Sequence, residues 1–341
     1  MHRPNSGGEP IGGSAGTGEF EAIDRLRVRF ESAARTLDPD GPWPPPGDTW
    51  IGDDAAVVGS GRAMPLVMAT DLVVAGVHVD LALCSLEDAG YKALMVTVSD
   101  LAAMGARPAY ALVSVAAPSG TDLDALADGL ALAAVEAGCV VVGGDLSEGP
   151  LLVVSTAVTG TLRADPRSGG SHPGPLLRSG ARAGDLLFVT GPLGGSAAGL
   201  RILRSGPSAS EDPSVRRLLS AHRRPRARVN EGEVARWSGA GAAIDVSDGL
   251  LADVAHLARA SAVGLALEGV PAFPGATRTE SLEGGEEYEL VVATSEPGAL
   301  SAAFAAAGLR PPLPIGRCTD VVGECTLDGA AVAPRGWSHR F

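Results

Sequence analysis

Apolar residues recur along this chain at two different periods, and the alternation between them lays out its elements. Phe20, Ile23, Leu26, Phe30 and Leu37 fall at helical spacing and predict an amphipathic helix starting at Glu19, with a Pro-rich loop at 39–46 after it. Residues 55–58 and 65–70 are short, Val-containing apolar runs and read as strands. Residues 86–105 read as a helix with Ser85 as its N-cap, 110–115 as a strand, and 122–137 as a second helix closed by Gly138. Strands follow at 140–142 and 151–159. After a patternless stretch the alternation resumes, with strands at 186–189, 242–246 and 288–293 and helices at 195–203, 216–221, 230–237, 250–260 and 297–307. Strands and helices alternating in this way predict an α/β layer architecture.

Length and composition then set the organisation. The chain has 341 residues, 45% hydrophobic and 20% charged, which indicates a well-cored globular protein with room for two domains. The stretch 163–184, rich in Gly, Ser, Pro and Arg, is the natural boundary. It separates an N-terminal domain, 19–163, from a C-terminal domain, 164–341, with 1–18 a disordered tail rich in Gly, Pro and Ser.

The net charge of −13 argues against nucleic acid or an anionic membrane as the main partner, because either needs a basic face. Lys92 is the only lysine, which removes the phosphate-loop chemistry that depends on one. An acidic protein that handles phosphates without it must rely on metal ions, arginine and backbone N–H groups. Cys84, Cys139, Cys318 and Cys325 are scattered without CxxC spacing and read as buried small hydrophobes of a reducing compartment. Neither a signal-peptide core nor an apolar run of transmembrane length is visible, so the expectation is a soluble cytoplasmic protein.

Candidate chemistry lies in five segments that share one grammar, an apolar stretch followed by Asp among Gly, Ala or Ser. They hold Asp53 and Asp54, Asp71 after Thr70, Asp100 after Ser99, Asp145 after Gly144, and Asp245 and Asp248 around Ser247. Any one of them is a turn or cap by default, since Asp and Gly are ordinary turn residues. Asp100 is the exception in kind, set in the almost wholly apolar stretch Val96 to Pro108, where an ionised carboxylate needs a partner. If strand ends in an α/β protein bring these residues to one edge, the carboxylates repel unless cations lie between them, and hard Mg²⁺ or Mn²⁺ suits oxygen ligands. Such a cluster suits metal-dependent phosphoryl transfer, with metal-dependent hydrolysis as the competing reading.

Taken together, IGDDAAVV, ATDLVVAGVHVD, YKALMVTVSDLAAMGARP, VVGGDLS, LRSGARAGD, VTGPLGGSAAGL, HRRPRAR, AIDVSDGLLADVAHLARAS, GGEEYEL and the terminal GWSH resemble the thiamine-monophosphate kinases. The resemblance runs from Glu19 to Phe341 and includes the wider superfamily of aminoimidazole ribonucleotide synthetase. It implies a two-domain aminoimidazole ribonucleotide synthetase-like fold, a homodimer joined through the N-terminal sheets, and ATP-dependent phosphorylation of thiamine monophosphate without a phospho-enzyme. Carried over by position, Asp54, Thr70, Asp71, Asp100, Asp145, Asp245 and Asp248 would hold several Mg²⁺ ions, with Asp100, Asp145 and Asp248 the expected catalytic set. Gly144, Asp145, Arg178 and Ser247 would contact ATP, and His78, Glu286 and Trp337 the thiamine phosphate.

Each assignment has a plainer rival. His78 could be a surface imidazole, Trp337 a plug of the C-terminal core, Glu286 a solvated strand start, and Arg178 a solvated charge in an Arg-rich linker. The Gly-rich stretch 194–199 reads better as helix packing and capping than as a phosphate loop. Ala69 and Leu146 replace the hydroxyl residues usual in the family, and Glu287 replaces an Asp. A sister enzyme of the superfamily, or a binding protein that has lost catalysis, are the alternative functions. No cysteine precedes Cys84 and none ends the chain, which disfavours two of the sister chemistries.

Overall fold

The computed structural model describes residues 46–49, 53–59, 65–166, 173–206 and 210–338. The expected tail 1–18 and the helix starting at Glu19 lie outside them. Two sheets carry the fold. The first contains β1 (Ala56–Val58), β2 (Leu66–Val74), β3 (Arg107–Ala117), β4 (Val140–Glu148) and β5 (Val153–Thr161) in the order β1-β2-β5-β3-β4. Helices α1 (Leu86–Ala103) and α2 (Leu123–Ala137) connect its strands. Only β3 and β4 pair in parallel, through the α2 crossover.

The second sheet contains β6 (Leu186–Val189), β7 (Ala242–Asp245), β8 (Gly264–Leu267), β9 (Leu290–Thr294), β10 (Leu313–Thr319), β11 (Cys325–Leu327) and β12 (Ala330–Ala331), ordered β12-β11-β8-β10-β6-β9-β7. Its helices are α3 (Gly195–Ser205), α4 (Pro213–Arg223), α5 (Val229–Trp237), α6 (Leu250–Ser261), α7 (Arg278–Glu283) and α8 (Pro297–Ala306). Both sheets are mixed and mostly antiparallel. The carboxylates therefore do not gather at the common edge of a parallel sheet, as alternation alone suggested; they come from a helix, a mid-strand position, a strand end and a turn.

Helix α1 is the axis of the site. Ser85 caps it through a capping box, its hydroxyl accepting the Asp88 N–H at 3.0 Å while the Asp88 carboxylate accepts the Ser85 N–H at 3.2 Å. Fifteen of its 18 residues are buried, because it packs against β2 and β5 on one side and against β7, α5 and α2 elsewhere. The α1–α2 crossing is close. A Cβ at Gly90 would lie 2.1 Å from the Leu126 carbonyl oxygen, and one at Gly129 would lie 1.8 Å from that of Glu87, so neither position accepts a larger residue. The C-terminal end of α1 is fixed by Arg236, whose buried guanidinium donates to the carbonyls of Gly105 at 2.9 Å and Pro173 at 2.7 Å, and also to Arg163. Among the described residues no helix is long and apolar enough to cross a membrane.

Candidate active site

Asp100 lies in the last turn of α1, Asp245 ends β7, and Asp54 stands just before β1. One carboxylate oxygen from each lies within 4.8 Å of the others. Asp71, from the middle of β2, lies beside Asp100 and Thr97. The Ser99 hydroxyl donates to Asp245 at 2.6 Å. Arg178 closes the cluster from the other side, gripping the Asp54 carboxylate through Nε at 3.0 Å and Nη2 at 2.5 Å, while its backbone N–H donates to Asp53 at 3.1 Å. Arg178, expected at the phosphates of ATP, is thus engaged by Asp54.

Charge is crowded here. Burial, followed by the negative charges of Asp71, Asp245 and Asp54, holds Asp100 well above the ordinary carboxylate range. Burial and then Asp54 push Asp245 up to about 7, and the same two causes push Asp53 up to about 6. Burial on its own would lower Arg178, but the Asp54 carboxylate outweighs it and raises the guanidinium further. A set of buried, mutually repelling carboxylates with oxygen donors only, against one guanidinium in direct contact, has the chemistry that a hard divalent cation would suit.

The second part of the site is the loop between β7 and α6. Asp253, in the first turn of α6, accepts three successive backbone N–H groups, from Ser247 at 3.1 Å, Asp248 at 3.1 Å and Gly249 at 3.0 Å. That curl fixes the direction in which Ser247 and Asp248 leave the chain. Segment 284–289 lies against the same loop, with the N–H of Glu286 bonded to the Ser247 carbonyl at 2.7 Å and that of Tyr288 to Val246 at 2.8 Å. A Cβ at Gly285 would lie 2.5 Å from the Ser247 oxygen, so only glycine permits this approach. Glu286 and Tyr288 take φ of 63° and 53°, a left-handed conformation that residues other than glycine rarely adopt. The Trp337 N–H bonds to the Asp248 carbonyl at 3.0 Å, and its indole is exposed. Ser247, Asp248, Glu286 and Trp337 are therefore neighbours through backbone contacts.

His78 approaches from the β2–α1 connection. Its Nδ1 accepts the Val74 N–H at 3.0 Å, which in the neutral ring leaves the proton on Nε2. Its carbonyl accepts from Lys92 Nζ at 3.0 Å, and the same Nζ pairs with Glu286 Oε1 at 2.6 Å. The Glu287 carboxylate accepts the N–H groups of Gly195 at 3.1 Å and Ser196 at 3.0 Å, so a side chain fills the N-terminus of α3 where a phosphate loop would hold its anion.

Three expected residues stand apart. Thr70 and Asp71 are adjacent on β2 and point to opposite faces, and the Thr70 hydroxyl donates to the Thr156 carbonyl at 2.9 Å on the exposed side. Gly144 and Asp145 lie inside β4, which continues through the GGD motif as an edge strand exposed along its length. Register places Asp145 beside Ser114, on the same outer face as Thr70. Lys92 and Asp253 were not among the expected residues. The signal for Lys92 was present, a sole lysine within an apolar helix, whereas Asp253 reads as an ordinary acid in a first helical turn.

The model of the family described as AIR synthase related protein, N-terminal domain, matches residues 52–162, the segment that holds Asp53, Asp54, Asp71, Asp100 and Asp145. The thiamine-monophosphate kinase of Salmonella typhimurium is 35% identical over 311 residues, covering 86% of this chain and 88% of that protein. The chain belongs to the thiamine-monophosphate kinase family. A family member from Mycobacterium tuberculosis is 36% identical over 322 residues, covering 92% of this chain and 88% of its own. Among solved structures, AaThiL complexed with AMPPCP and TMP is similar with a TM-score of 0.78 and 30% identity, over 94% of this chain and 97% of that one. The two-sheet architecture is accordingly the aminoimidazole ribonucleotide synthetase-like fold; the segments that hold Asp54, Asp100, Asp245 and Glu286 meet at the cluster and loop just described, while the GGD segment lies apart on β4.

Proposed function

We propose that this chain transfers the γ-phosphoryl group of ATP to thiamine monophosphate, forming thiamine diphosphate and ADP. The observation that carries the reading is the convergence of Asp54, Asp100 and Asp245 within 4.8 Å in a chain related to thiamine-monophosphate kinases over most of its length. These three, with Asp71, would hold Mg²⁺, and Asp248 would extend the set from the neighbouring loop. Bound Mg²⁺ supplies neutralisation of the charge that develops between two phosphate groups.

The protein's own part is positioning. Arg178 holds Asp54 in place, Ser99 holds Asp245, and the Asp253 curl presents Ser247 and Asp248. A phosphate monoester has its second pKa near 6 and is mostly dianionic at neutral pH, so the acceptor needs no general base. Glu286 and the exposed indole of Trp337 sit beside the loop that would carry the donor phosphates, where they can meet the cationic thiazolium ring of the acceptor.

The chain is further read as a cytoplasmic homodimer with domains 19–163 and 164–341. The four free cysteines suit a reducing compartment. The outer face of the first sheet exposes Met68, Leu72, Tyr110, Leu112 and Val140, an apolar surface that a second copy would cover. Thr70 and Asp145 lie on that face.

Incubation of the purified protein with MgATP and thiamine monophosphate, followed by chromatography, tests the function. Thiamine diphosphate should accumulate with protein and time. Its absence under conditions where the protein binds MgATP overturns the proposal.

A further inference from the structure

We infer that Lys92 is a positioning residue for the acceptor side of the site, acting by holding Glu286 and the backbone of His78 together. The inference rests on the kinase reading above and deepens it.

Lys92 belongs to α1, the helix that also carries Asp100, and its side chain is 2% exposed. Its ammonium pairs with Glu286 Oε1 at 2.6 Å and donates to the His78 carbonyl at 3.0 Å. These two partners come from parts of the chain separated by some two hundred positions, and both occupy places that resemble acceptor contacts. One buried point charge therefore joins β2–α1 to segment 284–289. Elsewhere the chain carries its side-chain cations on arginine, and Lys92 is its only lysine. The distinction has a physical basis: a compact ammonium places donors in diverging directions, toward a carboxylate and a carbonyl, where a planar guanidinium fork suits one flat partner.

The other oxygen of Glu286 faces His222. His222 Nδ1 lies 3.6 Å from Oε2 and 3.1 Å from the Ser196 hydroxyl. Burial foremost, and then the Lys92 charge, lowers His222 to about 4, so the imidazole is neutral near pH 7 and Lys92 rather than His222 is the counter-charge of the carboxylate. Glu286 is thus held at Oε1 by Lys92 while its backbone sits at φ 63°. A carboxylate held in this way can orient a cationic acceptor, whereas a freely rotating one cannot. An apolar residue at position 92 would pack in α1 and leave Glu286 without its counter-charge.

The experiment compares Lys92→Met, Glu286→Gln and the double variant with wild type in steady-state assays against both substrates. If Lys92 acts through Glu286, K92M raises the KM for thiamine monophosphate about tenfold or more and leaves the KM for ATP within about twofold. The double variant is then no worse than E286Q alone, because the two changes remove one device. Equal loss toward both substrates, or losses that multiply in the double variant, overturns the inference and leaves Lys92 a packing residue. Should K92M fail to fold, the double variant lacks the unpaired carboxylate and decides the matter. A folded double variant matching E286Q supports the role, and an unfolded one overturns it. Wild-type protein that makes no thiamine diphosphate would sink the kinase reading itself, a result separable from wild-type turnover with an unchanged acceptor KM in K92M.

Discussion

Replacing Asp245 by Asn separates the charge of the carboxylate cluster from its shape. Asp245 is 3% exposed and accepts the Ser99 hydroxyl at 2.6 Å, a bond that the amide oxygen of Asn can keep. Burial, then Asp54, raises its pKa from 3.8 to about 7, so holding it ionised at pH 8 costs roughly 4 kcal/mol in the metal-free fold. Repulsion within the cluster acts beside burial, and Ser99 and Arg178 offset part of both. Two like charges at the 4.8 Å limit of the cluster repel by about 3 to 4 kcal/mol at an effective dielectric near 20. For 341 residues the unfolding entropy is about 0.7 kcal/mol per degree, so D245N should melt up to about 5 °C above wild type at pH 8 with chelator present. Turnover should move the other way, falling at least about a hundredfold, the scale for loss of one preorganised electrostatic group. Thermal melts with chelator, paired with product formation in MgATP, read both effects from one preparation. A metal-free variant that melts below wild type, or one that retains turnover within about threefold, refutes the assignment of Asp245 to a charge-crowded metal site.

Further tests follow from the same geometry. Carboxyls with raised folded pKa values favour the native state below about 3.8 and lose that contribution as pH rises through about 6 for Asp53 and about 7 for Asp245. Added Mg²⁺ should therefore raise the melting temperature more at pH 8 than at pH 5, and an equal or reversed difference would contradict this account. Asp253→Ala leaves the N–H groups of Ser247, Asp248 and Gly249 without their acceptor and should cost about 2 to 3 kcal/mol, a fall of some 3 to 4 °C, together with a higher KM for ATP. An unchanged KM would show that the loop holds its form without that carboxylate. Leu112→Asp places a charge in the middle of the exposed sheet face and should convert a dimer to a monomer in light scattering. A variant that elutes as wild type does would remove this face from the interface.

The sequence exposed the strongly patterned elements and concealed the irregular ones, for reasons visible in particular residues. Helix α1 was plain from its capping Ser85 and its long apolar run, and Gly138 marked the end of α2 with a left-handed cap. Strand β10 contains Pro314 and Gly316, and α7 is six residues long, so neither leaves a readable period. Asp54, Asp100 and Asp245 could be singled out because each carboxylate sits among small or apolar residues where a charge needs compensation. Their meeting could not be read from strand order, since mostly antiparallel sheets scatter consecutive strands. The places of Thr70 and Asp145 were hidden by the two-residue period of strands. Only pairing register decides which face a side chain takes, and β4 runs through a Gly-Gly step where a turn was the natural expectation. The Lys92–Glu286 pair joins residues too far apart in sequence for any local pattern to connect.

The central claim is that the cluster directs phosphoryl transfer to a phosphate acceptor rather than to water. Phosphorus NMR of a reaction containing the protein, MgATP and thiamine monophosphate tests this directly, because both products carry resolved diphosphate signals. Thiamine diphosphate and ADP should grow in equal amounts, with inorganic phosphate absent and both signals abolished by chelator. Growth of ADP with inorganic phosphate and no thiamine diphosphate would contradict the claim and identify the site as hydrolytic.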